Sequence, residues 1–210
     1  MVDKLLQRIS EVVALQSNVV KKRISEFEDI QKQNNDVWFK ELIFCILAAN
    51  TSSKMASRVV DEVDFKKFIA SDLDDLKKEL KKVSCRFYNK RSEYIFEARK
   101  YYNLKDILIL LSNDDKRDWL VENIKGIGLK ESSHFLRNIG YFDFAILDKH
   151  IRSILFKFSY IDENLMTKSL TKKNYLEIES KLKKIADYFK ITQGELDLYL
   201  WYMKTGVVLK

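Results

Sequence analysis

Ile124-Lys125-Gly126-Ile127-Gly128-Leu129-Lys130 reads as a tight turn between two helices. The chain has 5 glycines in 210 residues, and Gly126, Gly128 and Gly140 fall close together here. Trp119, Leu120 and Ile124 precede the turn at helical spacing, and Phe135, Leu136 and Ile139 follow it. Glycine admits backbone angles and close approaches that a Cβ forbids. A turn opening onto a helix presents backbone N–H groups, which suit a phosphate. Two readings stand: an ordinary corner between helices, or a phosphate-binding hairpin. The flanking apolar pattern and the basic charge of the chain favour the second.

Outward from the turn, the pattern is helical. Proline is absent, so no helix is broken by that route and no proline-rich linker exists. Leu5, Ile9, Val12, Val13, Val19, Val20, Ile24 and Phe27 recur mostly three and four apart. They predict one long amphipathic helix, or two broken near Gln16-Ser17-Asn18. Asn34-Asn35-Asp36 predicts a turn and a cap. Val37 to Ala49 is apolar on nearly every side, the pattern of a buried central helix. Asn50-Thr51-Ser52-Ser53 ends it and caps a helix bearing Met55, Val59, Val60 and Val63. Residues 64–82 predict one charge-laced helix with a solvated face. Shorter helices are predicted around Tyr94–Ala98, Ile107–Leu111 and Trp119–Ile124, and longer ones from Asp148 through Phe158 and over 174–190. Thr192-Gln193-Gly194-Glu195 fits a capping box opening a last helix, Leu196–Met203, with Gly206 at its C-cap. The fold class is all-α.

The formal charge of +7 and a pI near 9.1 suit a polyanion partner. A lipid surface fits less well, because no helix gathers its lysines opposite a wide apolar face. With 46% hydrophobic and 33% charged residues the chain is globular. Cys45 and Cys85 are its two cysteines. They cannot supply a four-cysteine zinc or iron–sulfur site, and no disulfide framework is suggested. Cys45 sits in an apolar run and reads as a buried thiol. No apolar run reaches membrane-spanning length, and the first residues lack the apolar core of a signal peptide. The expectation is a soluble protein of a reducing compartment.

Lys130 falls in the first turn of the helix after the hairpin, where the dipole disfavours an ammonium. A lysine near pH 7 is only about 0.1% neutral, so an amine nucleophile needs an activating environment. The plainer role is a phosphate contact or a solvated lysine. Asp148, 18 residues on, starts a helix and is an N-cap candidate. The same N–H groups favour its carboxylate form, which stabilises positive charge at a sugar C1′. Capping and catalysis are compatible there.

Gly126-Ile127-Gly128-Leu129-Lys130 together with Leu147-Asp148-Lys149-His150-Ile151 resembles the signature of the helix–hairpin–helix, Gly/Pro-rich–Asp superfamily of DNA glycosylases. A lysine in the hairpin marks its bifunctional members. The length, the missing four-cysteine cluster and the ending Leu198 to Lys210 are similar to the compact, archaeal-type (type 2) 8-oxoguanine glycosylase/lyases. One departure is the absence of proline, with Phe142-Asp143-Phe144-Ala145 before the aspartate. The resemblance implies two helical lobes with a DNA-binding cleft between them. A barrel domain would span 33–144 and a discontinuous one 1–32 with 145–210. It implies Lys130 and Asp148 as the catalytic pair, with no required cofactor or metal and a monovalent cation at the hairpin carbonyls left open. The expected partner is double-stranded DNA with 8-oxoguanine or abasic sites, met by a monomeric, cytoplasmic protein acting at the nucleoid.

Other residues carry two readings each. Gly126 and Gly128 contact the backbone phosphates or simply make a corner. Asn50 is a polar wedge in the gap left by an extruded base, or a helix C-cap. Arg86, Phe87 and Tyr88 touch the opposite strand or stack, or belong to a loop with buried aromatics. His150 contacts phosphate or is a surface histidine. Trp201 stacks on the extruded base, or packs in the core. Guanine N7 accepts a hydrogen bond, whereas N7 of 8-oxoguanine donates. A buried carbonyl or carboxylate selects the oxidised base; Val207-Val208-Leu209-Lys210 is a candidate supplier, the resemblance pointing to its lysine, and a frayed tail is the other reading of Lys210. Two other functions remain: an endonuclease III-type glycosylase for oxidised pyrimidines, against which the missing cluster counts, and a non-catalytic DNA-binding module.

Overall fold

The computed structural model describes residues 3–208. Among them are thirteen α-helices and no strand. The chain divides into two compact units, one over Ile30–Phe135 and one formed by the residues up to Asp29 with those from Leu136 onward.

The first unit is built on α2, Asn35–Ala48 (the N-terminal helix α1 is described with the second unit). Asn34 caps α2, its Oδ1 accepting from Val37 N at 3.3 Å. Trp38, Phe39, Leu42, Ile43, Cys45 and Leu47 are wholly buried, so α2 is apolar on nearly every side as its sequence predicts, with Lys40 exposed and Glu41 a buried carboxylate. Each such side chain contributes roughly 1.5–3 kcal/mol on burial. The Trp38 indole N–H donates to Ile30 O at 3.1 Å, and its ring meets Phe135 edge-on. Around α2 lie α3 (Ser53–Glu62), α6 (Tyr88–Ala98) and α7 (Leu104–Leu108). Residues 64–82 form two helices rather than one, α4 (Phe65–Ala70) and α5 (Leu73–Lys82). Asp72 makes the break: it leaves the helical conformation and its carboxylate accepts from Asp75 N at 2.8 Å. Then come α8 (Asn113–Asn123) and α9 (Leu129–Asn138).

In the second unit α1, Lys4–Lys32, runs unbroken through Gln16-Ser17-Asn18, burying Leu5, Ile9, Val12, Val20 and Phe27. The Tyr160 hydroxyl donates to the Asp3 carboxylate at its start. The other elements are α10 (Lys149–Lys157), α11 (Glu163–Thr167), α12 (Lys172–Phe189) and α13 (Gln193–Thr205). Helix α10 packs on α11 and α13, and α12 packs on α13. The capping box at Thr192 and Glu195 is present, and Gly206 ends α13 at φ +75°.

The division falls inside α9, nine residues before the expected boundary at 144. Arg137 explains this. It is 3% exposed, pairs with the buried Asp197 of α13, and stands 5.1 Å over the Phe27 ring of α1.

With so few glycines, the chain places other residues in the left-handed region. Ser84, Ser159 and Lys190 take φ of 54°, 62° and 55°. Each follows a helix and makes the paired bonds of a Schellman cap, as at Cys85 N to Leu80 O and Ser84 N to Lys81 O, both 2.9 Å.

Candidate active site

Helix α8 closes with Ile124 N donating to Leu120 O, and the hairpin follows. Gly126 has φ +89°, and a Cβ there would lie 2.3 Å from Cδ2 of Tyr94. Both the backbone angle and the ring of α6 demand glycine at this position. Gly128 differs. Its φ is not left-handed, and a Cβ would meet nothing nearer than Glu131 Oε2 at 3.9 Å. Protein packing therefore requires glycine at Gly126 alone; the space over Gly128 is open. Gly128 O accepts from Ser132 N at 2.9 Å, which makes it the residue that starts α9.

Lys130 is the second residue of α9, and its side chain is 29% exposed. Nζ lies 3.2 Å from Oε1 of Glu131, whose side chain is 15% exposed. The helix start favours Glu131 and disfavours Lys130, so the ion pair offsets an unfavourable placement. Lys125 pairs with Glu97 at 2.8 Å on the other arm of the hairpin.

Two loops of the same unit carry the other candidates. Ala49 has φ −55° and ψ 123°, Asn50 has φ 56°, and Thr51 N donates to Ala48 O at 3.0 Å. This is a type II turn, whose third residue needs a positive φ and takes Gly or Asn. Asn50 thus ends α2 while its side chain stays exposed. Its two readings are compatible.

Phe87 is 51% exposed, so the reading of 86–88 as a loop with buried aromatics is corrected at this residue. It has φ 61° and ψ 27° at the start of α6, with no side-chain cap bond. A left-handed aromatic is a true outlier and marks stored strain. The exposed Arg86 guanidinium lies 4.6 Å from its ring centroid. Sequence reading missed Arg91, which lies buried between these loops. In a run of Lys and Arg it looked like one more solvated charge.

In the second unit Asp148 starts α10. Its Oδ1 accepts from His150 N and Ile151 N, both at 2.8 Å. The preceding segment, Phe144 to Leu147, is buried and not helical, so its backbone needs partners. Tyr175 of α12 accepts from Leu147 N at 3.3 Å and donates to Ala145 O at 2.7 Å. Glu179 accepts from Ala145 N at 2.8 Å. Gln193 donates to Asp143 O at 2.5 Å, and Gly194 N to Phe142 O at 2.9 Å. These bonds hold Asp148 in place of the proline-rich segment that its signature lacks. The helical spacing of Tyr175 signals only a core position, so this role was not legible.

The His150 ring meets Trp201 edge-on, centroids 5.2 Å apart. Trp201 is half-buried, and its Nε1–H is buried without an acceptor among the described residues. Lys210 lies outside the described residues. His134 is buried against Phe44, edge-on at 5.6 Å, as a structural residue. Both cysteines are buried thiols outside any disulfide. Among the described residues no group of three or more His, Cys, Asp or Glu is placed to hold a metal. No described helix is long and apolar enough to cross a membrane.

A left-handed glycine hairpin opening a lysine-bearing helix, with an aspartate-capped helix beyond it in an all-α chain, defines a helix–hairpin–helix protein of the glycosylase type. The sequence profile described as 8-oxoguanine DNA glycosylase matches residues 20–191, and the chain belongs to that family. It is 44% identical over 208 residues to the 8-oxoguanine DNA glycosylase/AP lyase of Methanocaldococcus jannaschii, covering 98% of this chain and 99% of the relative. The protein of the same name from Picrophilus torridus is 42% identical, covering 99% and 98%. Among solved structures, the M. jannaschii 8-oxoguanine glycosylase/lyase in complex with 15mer DNA containing 8-oxoguanine matches with a TM-score of 0.93. It is 43% identical, and the match covers 98% of this chain and 99% of that one. The 8-oxoguanine DNA glycosylase of Thermotoga maritima matches with a TM-score of 0.90 at 38% identity, covering 99% of each chain.

Proposed function

We propose that the protein is a bifunctional base-excision repair enzyme that removes 8-oxoguanine from double-stranded DNA and then nicks the strand. The observation that carries the chemistry is the placement of Lys130 in the first turn of α9, behind the hairpin, together with Asp148 as the doubly bonded cap of α10. In this reading the neutral amine of Lys130 attacks C1′ of the damaged nucleotide, and the glycosidic bond breaks with the base as leaving group. Loss of a proton and ring opening give a Schiff base. Removal of a C2′ proton then expels the 3′ phosphate by β-elimination. Asp148 stabilises the positive charge that develops at C1′ and helps to position or deprotonate the lysine. Neither step needs a metal or organic cofactor. A monovalent cation at the hairpin carbonyls would serve only phosphate binding.

The remaining roles belong to the same reading. The base must leave the stack to be reached. Asn50 and Phe87 are exposed on loops of the hairpin's unit and suit contact with the opened duplex, with Arg86 beside them. Gly126, Gly128 and His150 face phosphates. Trp201, half-buried, offers an aromatic surface to the extruded base, and Lys210 is assigned to reading N7. The enzyme acts as a monomer and, in a prokaryotic cell, works at the nucleoid in the cytoplasm.

Single-turnover cleavage of duplexes bearing 8-oxoguanine, thymine glycol or a preformed abasic site tests this. The expected result is excision of 8-oxoguanine over thymine glycol, with nicking of both the product and the abasic duplex. Preference for thymine glycol would support the endonuclease III-type reading. Binding without cleavage would support the non-catalytic one.

A further inference from the structure

We infer that Arg91 is a positioning residue for base extrusion, its guanidinium locking the Asn50 turn to the Phe87 loop. This rests on the reading that Asn50 and Phe87 meet the opened DNA.

Arg91 lies in the first turn of α6 and is 3% exposed. Its Nη2 donates to Ala49 O at 2.6 Å and to Thr51 Oγ1 at 3.2 Å, so it grips the residues on either side of Asn50. Its Nη1 stands 3.6 Å from Cys85 Sγ, and its guanidinium carbon 5.8 Å from the Phe87 ring centroid. Its own N–H donates to Phe87 O at 3.1 Å, the bond that starts α6. One side chain therefore touches two loops about 40 residues apart in the sequence. Thr51 extends the grip, its hydroxyl donating to Leu47 O at 2.8 Å inside α2.

Stability alone does not explain this arrangement. Among the described residues the acceptors of Arg91 are neutral, and a buried cation without a carboxylate is expensive to keep. A planar fork supplies instead a fixed geometry for several acceptors at once. Both loops need such a constraint. Asn50 and Phe87 hold φ of 56° and 61°, and strained backbone persists only where its surroundings over-determine it. A wedge and a stacking ring work on one duplex only if the distance between them is fixed.

Two variants test the assignment. Arg91→Lys keeps the charge and loses the fork; Thr51→Val keeps the shape and loses the hydroxyl. For each we would measure three quantities. These are single-turnover excision of 8-oxoguanine, 2-aminopurine fluorescence beside the lesion as a readout of extrusion, and borohydride trapping on a preformed abasic site. An abasic nucleotide is easier to extrude. Excision and the fluorescence change should fall about tenfold in Arg91→Lys, with abasic trapping within about twofold of wild type. Thr51→Val should show the same split at about threefold. Equal falls in excision and trapping, or no change in either, would overturn the assignment. Should Arg91→Lys fail to fold, Thr51→Val decides on the same criterion. Failure of the wild-type protein to trap would count against the glycosylase/lyase reading itself, and so is told apart from a loss confined to the variants.

Discussion

At the start of α10, Asp148 obeys every local rule: a carboxylate at a helix N-terminus, accepting two backbone N–H groups. At the start of α9, Lys130 breaks the dipole rule, and the neighbouring Glu131 supplies the compensating charge. A residue that satisfies the fold cannot be assigned to chemistry by its position alone. A residue placed against the local preference can, because the fold gains nothing from it. The contrast predicts how stability and activity separate at the two ends.

The largest effect belongs to Lys130→Gln. Excision and nicking should fall about 10³-fold or more, since the nucleophile is gone. The unfolding midpoint should stay level or rise slightly, because an unfavourable charge leaves the helix start. A fall in the midpoint would mean that Lys130 serves the fold. Next comes Asp148→Asn. Asparagine caps a helix as well as aspartate does, so stability should change by about 0.5 kcal/mol or less. Without the charge, excision should drop about 10²-fold. Asp148→Ala, which also loses the cap, should cost about 1 kcal/mol besides. Equal activity in Asp148→Asn and wild type would leave capping as the only role.

The same separation applies within the hairpin. Gly126→Ala meets both the left-handed angle and the Tyr94 ring, and should destabilise by about 2 kcal/mol or more in denaturant titration. Gly128→Ala meets open space. It should be stable to within about 0.5 kcal/mol and yet bind undamaged duplex about tenfold more weakly, if the phosphate sits there. Equal losses of stability at the two glycines would break the contrast. The smallest effect lies far from the site. The Tyr160 hydroxyl bond, with the Leu5 and Leu6 N–H groups, holds the Asp3 carboxyl below its ordinary value. A lowered folded value means that Asp3 contributes fully above about pH 3.8 and loses its contribution as pH falls through the folded value. Asp3→Asn should lower stability slightly at neutral pH, where that contribution is fully present, and flatten the acid limb, so that variant and wild type converge at low pH.

What the sequence made legible follows the same lines. Caps at Asn34, Asp148 and Thr192 were readable because short polar residues before apolar periodicity have one common use. The buried α2 was readable because only Lys40 and Glu41 interrupt its apolar run from Val37 to Ala48. The break at Asp72 was not, because a cap inside a charged run looks like another solvated residue. Nor were the turns at Ser84, Ser159 and Lys190, where the usual glycine is missing. The hairpin–lysine–aspartate constellation stood out by type and spacing. Tyr175, Glu179 and Arg91 did not, since their work depends on partners 28 to 42 residues away. The exposed, strained Phe87 lies between these cases: its residue type drew notice, and only the backbone shows why.

The most direct test is borohydride trapping of wild-type protein on an 8-oxoguanine duplex, followed by peptide mapping of the adduct. The account predicts one covalent adduct, on the peptide that carries Lys130, absent in Lys130→Gln. An adduct on another lysine, or excision of the base with no trappable adduct, would contradict it.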